Sequence, residues 1–171
     1  MIRIYPLIFI LLWSSAFITT KPIVDNSDPF AALAFRFFFV AVCFFIYSIV
    51  KKIKIKVNFS NLFNSFSTGI LFHGFYLGGV FYAIFVGLPT STVALIVTLQ
   101  PILTNILAGY FLNEEVNIYQ WIGVILGFTG AVMVIGFDIG STLPVKGLTA
   151  GVIALIAITT STIWQKKISN D

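Results

Sequence analysis

Charge is what this sequence has least of. Only 9% of its 171 residues are charged, where a soluble domain carries about 25%, so an ordinary water-facing surface is excluded. A single cysteine, Cys43, excludes an intrachain disulfide and any cysteine-based zinc site. There is one histidine, His73, and no carboxylate lies within an apolar run. That leaves no nucleophile with a base and no metal cluster, so neither an intramembrane enzyme nor a metal or other cofactor is expected. Alternating strands of roughly ten residues, which would mark a transmembrane barrel, are missing. The ten Lys and Arg residues outnumber the six Asp and Glu. They cluster at the edges of apolar runs rather than along one face, which speaks against nucleic acid as a partner.

What is present is apolar. Hydrophobic residues make up 58% of the chain, phenylalanine alone occurs nineteen times, and the mean hydropathy is +1.02. Six apolar runs cover 4–20, 30–50, 65–86, 91–112, 118–137 and 147–165. A helix needs roughly 20 such residues to cross a bilayer. The expected fold is therefore all-α, a polytopic bundle of about six transmembrane helices in the cell (inner) membrane with the lipid bilayer around it. The first run has no small-residue cleavage site after it and reads as a retained span, not a signal peptide. With the N-terminus inside, Arg3, Lys51, Lys52, Lys54, Lys56, Lys166 and Lys167 face the cytoplasm and only Lys21 and Lys146 face outward. That bias predicts an N-in, C-in topology. The KKIKIKV run after span two is read first as this positive-inside signal, with binding of anionic lipid as the alternative.

The fourth run, Ser91 to Leu112, draws most attention. Pro101 removes the N–H that would bond the Val97 carbonyl, which predicts a bend. A freed carbonyl in hydrocarbon needs a neighbour, so this helix is expected at the centre of the bundle. Ala94, Thr98, Pro101, Asn105 and Ala108 fall on one narrow face of small or polar groups, with Gln100 and Thr104 beside it. Cavity lining or substrate binding is the reading for this face. Glu114 and Glu115 close the run, where the helix dipole disfavours anions. Gating by a compensating basic group and a plain solvated helix end both remain open there.

Other spans add single groups. Trp13 and Ser15 lie with Ala16 and Thr19 on span one, open to helix packing or substrate contact. Arg36 lies inside span two, sharing a face with Ala32, Val40 and Cys43, while Phe37, Phe38, Phe44 and Phe45 are expected toward lipid. Anchoring and binding of a substrate anion are both open to it. His73 and Tyr76 share a face of span three beside Gly74 and Gly78, whose spacing lets another helix touch the backbone. Asn117 and Gln120 form a capping box that starts span five, and Gly123, Gly127 and Gly130 predict a close-packing stripe along it. In span six, Ala150, Ala154, Ala157 and Ser161 share one face before the aromatic and basic boundary Trp164-Gln165-Lys166-Lys167.

Trp13-Ser14-Ser15-Ala16-Phe17, Pro29 with Arg36-Phe37, and Ala94, Pro101, Phe111-Leu112-x-Glu114 resemble the EamA-type family of the drug/metabolite transporter superfamily. Gln120-x-x-Gly123 and Gly127-x-x-Gly130 complete the pattern. The resemblance implies ten spans arranged as two five-helix repeats of inverted topology. Residues 1–140 would then be one repeat, and 141–171 the first helix of a second, truncated one. It also implies efflux or uptake of small metabolites such as amino acids or their derivatives. Span four would line the cavity, with Trp13 and Arg36 near it. The site would be completed by a homodimer partner or a missing second half. Because no carboxylate lies within a span, alternating access by exchange or facilitated movement is expected rather than carboxylate-driven antiport. The alternative is a non-transporting truncated fragment or a structural membrane subunit.

Overall fold

The computed structural model describes residues 4–53, 58–112, 117–135 and 143–170. Among them six helices follow one another: α1 (Ile4–Asn26), α2 (Pro29–Val50), α3 (Phe59–Phe85), α4 (Thr90–Thr98 continued by Gln100–Leu112), α5 (Ile118–Ile135) and α6 (Val145–Asn170). No strand occurs among the described residues. Five of these helices are long and apolar enough to cross a membrane by length and composition, while in α5 the apolar stretch is shorter, Ile118–Met133. Residues 136 and 137, the expected end of span five, lie outside the described residues.

Local chemistry explains where helices start and stop. α1 continues past the apolar run because Lys21 and Asp25 pair one turn apart at 2.8 Å. Asp28 then caps α2, accepting from the Phe30 and Ala31 N–H groups at 3.0 and 2.9 Å, with Pro29 at the first helical position. α3 begins six residues before the expected span, where Asn58 accepts from the Ser60 N–H. It ends at Gly87, whose φ of +94° a side chain would strain. The capping box of α5 is present: the Asn117 N–H donates to Gln120 Oε1 at 2.9 Å, and the Tyr119 N–H donates to Asn117 Oδ1. α4 is interrupted at Leu99, two residues before Pro101, as the missing N–H at the proline requires. One feature had no sequence cue: the middle of α3, Ile70–Leu77, is a π-helical turn.

The most buried helix is α6, which packs on α3 and α4, while α4, expected at the centre, touches α1, α3, α5 and α6. In the most apolar stretch of α6, 56% of residues are buried, against 17% in α4, 11% in α1 and 6% in α2. The cause is the small-residue ridge of α6. Ala150, Ala154, Ala157 and Ser161 are all buried, and they let the α3 backbone approach. A Cβ at Gly79 would stand 2.9 Å from the Ala150 carbonyl oxygen and 3.0 Å from the Ala154 Cβ. Near its start, α6 repeats the device at Gly147, where a Cβ would meet the Leu88 Cβ at 2.9 Å. In lipid such contacts, with hydrogen bonds between helices, supply the association energy that hydrophobicity cannot. Ser161 Oγ donates to the Thr68 carbonyl at 3.2 Å, just before the π turn, and Gln100 Nε2 donates to Thr162 Oγ1 at 3.2 Å. Val80 and Ile84 of α3, Val93 of α4 and Ile158 of α6 fill the space between, in one apolar core.

Candidate functional site

Three helices build the best-furnished cavity. α1 contributes Phe9, Leu12, Trp13, Ala16, Phe17 and Thr20; α2 contributes Arg36, Phe37 and Val40; α3 contributes the stretch from Phe72 to Phe81 that holds His73 and Tyr76. The cavity volume is about 350 Å³, within the range of small-molecule sites. Helical spacing accounts for the α1 wall. Phe9, Trp13 and Phe17 recur every fourth residue, and the Phe9 and Trp13 rings lie 5.6 Å apart. On α3 the π turn carries Phe72, His73 and Tyr76, and it places the Phe72 ring edge-on to both neighbours at 5.1 and 5.3 Å. Such turns appear often at functional sites.

The polar groups in this cavity are few: Arg36, His73, Tyr76 and Thr20. Arg36 offers a planar fork of five N–H donors that suits a carboxylate bidentately. His73 can add a donor, and Tyr76, itself buried, carries a hydroxyl on the same wall. Among the described residues no acidic side chain lines the cavity, and Arg36 has no carboxylate partner. Apart from Thr20, the remainder is aromatic and aliphatic. Such a pocket can hold a small anion or zwitterion that has an apolar part.

Of the sequence-predicted residues, Trp13, Arg36, His73 and Tyr76 are therefore brought together. Ser15 is not: it is exposed, two residues around the helix from Trp13, and its Oγ donates to the Leu12 carbonyl. α4 contributes nothing to this cavity. Its Thr98, Pro101 and Asn105 line a separate groove of about 550 Å³ against Gln120, Gly123, Gly127 and Phe128 of α5, and Gln100 is engaged by Thr162 of α6. The polar face of α4 thus looks toward α5, away from Trp13 and Arg36. Glu114 and Glu115 lie outside the described residues.

The glycines divide similarly. Beyond its own helix turn, Gly74 meets nothing close, and a Cβ on Gly78 would make only an ordinary 3.6 Å contact with Phe30. The tight crossing uses their neighbour Gly79. Positions Gly123, Gly127 and Gly130 meet nothing within 4 Å, so the stripe on α5 is open rather than packed. Phe37 departs from expectation too. Instead of facing lipid it packs on His73, with ring centroids 4.9 Å apart. Sequence reasoning missed Phe9, Phe17 and Phe72 as cavity walls. The fourfold spacing of Phe9, Trp13 and Phe17 was the available signal; Phe72 had none, because the π turn sets its direction.

Comparison with known proteins agrees with this architecture. No solved structure matches the chain. A protein of Bacillus subtilis (strain 168) described as "Uncharacterized transporter YoaV" is 23% identical over 127 residues, covering 74% of this chain and 43% of that relative. The chain thus spans less than half the length of the curated relative it matches. The pattern of the EamA-like transporter family matches residues 3–136, most of the described helices included. On that match, the chain belongs to the EamA-like transporter family.

Proposed function

We propose that this chain is a half-transporter that moves small metabolites carrying a carboxylate, such as amino acids or their derivatives, by alternating access. Family membership supports a membrane transporter rather than an enzyme. The observation that carries the finer reading is the cavity of Trp13, Arg36, His73 and Tyr76, which sets an arginine among aromatic walls with no acidic lining among the described residues. In this reading Arg36 takes the carboxylate and the rings of Trp13, Phe17 and Phe72 take the apolar part. Of the five helices long enough to span, α1 and α2 are the least buried, so a second copy or second half would close over their side of the cavity. Residues 1–140 act as one repeat, and 141–171 as the start of an inverted one, with both described ends on the cytoplasmic side of the cell membrane.

Uptake into liposomes holding the purified full chain tests this, with radiolabelled amino acids and their N-acetyl derivatives as the panel. Arg36→Gln should weaken apparent affinity for carboxylate-bearing substrates about ten- to a hundred-fold, the range expected for a charge-assisted hydrogen bond. Arg36→Lys should recover part of it. Equal uptake by wild type and Arg36→Gln would end the assignment of Arg36. A chain that runs as a monomer in mild detergent and moves none of the panel supports the second reading, a structural membrane subunit. The burial of α6 against α3 and α4 of the same chain favours that alternative.

A further inference from the structure

At the opposite end of α3, where α4 and α6 finish, lies a second cavity of about 480 Å³. It shares no lining residue with the cavity of Arg36. Leu107 and Phe111 of α4 and Ile168 of α6 form apolar walls, Trp164 adds an indole ring, and Lys167 and Asn64 bring polar groups to the same space. Thr160 also lines it, seven residues before Lys167, so the cavity extends about 10 Å along α6 from the lysine. The end to which it belongs also carries Lys51, Lys52 and Lys166, and the positive bias predicts that this end is cytoplasmic, where the leaflet holds anionic lipids.

We propose that this cavity binds one anionic phospholipid, with its phosphodiester at Lys167 and Asn64 and the upper part of an acyl chain along Leu107, Phe111 and Ile168. Charge complementarity selects the headgroup, since a lysine ammonium is a point charge suited to phosphate. The apolar walls select a lipid over free phosphate, which would leave them uncovered. An indole at this depth matches the boundary between hydrocarbon and headgroups.

Native mass spectrometry of the full chain decides it, after extraction from vesicles of equal parts phosphatidylcholine and phosphatidylglycerol. One phosphatidylglycerol per chain should be retained in preference to phosphatidylcholine. Lys167→Gln should reduce that preference about five-fold, the effect of one basic residue at an anionic surface. Leu107→Trp, which fills the apolar part and keeps the charge, should reduce it as well, while Lys21→Gln at the other end should not. If Leu107→Trp fails to fold, Lys167→Gln at its exposed position still gives the answer. Four results would overturn the proposal. Retention of the two lipids could be equal, or the losses in Lys167→Gln and Lys21→Gln could be equal. Inorganic phosphate could displace the ligand. Finally, the preference could cease to depend on Lys167 once Glu114→Gln and Glu115→Gln are introduced, which would make the lysine a counter-ion for those carboxylates.

Discussion

At Gly79 an added Cβ would press on the Ala150 carbonyl oxygen and the Ala154 Cβ, both on the most buried helix of the bundle. Backbone cannot yield as a flexible side chain can, so Gly79→Val should destabilise the fold by about 1–3 kcal/mol. Unfolding in mixed detergent micelles measures this, and a value within error of wild type would refute the crossing. Gly127→Val is the counterpart. Nothing stands within 4 Å of its Cβ position, so the same substitution should change stability by less than about 0.5 kcal/mol. In the sequence Gly127 belongs to a small-residue stripe that permits close helix contact, while Gly79 only adjoins the Gly74 and Gly78 pair. Which pattern is used depends on the partner helix, and a partner is a tertiary fact. Trp13 and Arg36 were legible as unusual groups, though the reading set them beside α4, which does not line their cavity. A cation and an indole within apolar runs stand out against their neighbours before any fold is known.

On the scale of single helices, the chain wrote its starts and stops plainly. The Asn117–Gln120 box of α5 and the proline break in α4 both follow from local hydrogen bonding, and the structure shows both. The π turn in α3 was illegible, because no residue type dictates it. It matters for the site, since it carries Phe72, His73 and Tyr76 together. The break in α4 offers a direct check. Pro101→Ala restores an N–H four residues after the Val97 carbonyl, so α4 should become continuous through Leu99. Amide hydrogen exchange across 97–103 should then slow, and an unchanged rate would mean that packing, not the proline, interrupts the helix.

For the whole molecule, hydropathy sufficed to mark six apolar helices but could not rank them by burial. In a bilayer, lipid-facing and core-facing side chains are equally apolar; α6 and α2 differ nearly tenfold in buried share while both are apolar enough to span. Only the alanine ridge of α6 hinted at its place. All six acidic residues fall outside the apolar runs, which bears on energy coupling. Transport by the reconstituted chain should not be driven by an imposed pH gradient, because no carboxylate is placed to carry a proton across. Gradient-driven uptake that survives His73→Ala would contradict this, having removed the one other candidate carrier.

The burial of α6 also has a consequence for how the protein is made. Translation delivers α3 and α4 before the helix that packs against both. Until then Gly79 has no opposing backbone, and Gln100 and the Thr68 carbonyl lack the partners that α6 supplies. Contacts among α1, α2 and α3 and between α4 and α5 can form first, since none of them involves α6. The closing of α3 and α4 onto their common partner is timed by the arrival of residues 145–170.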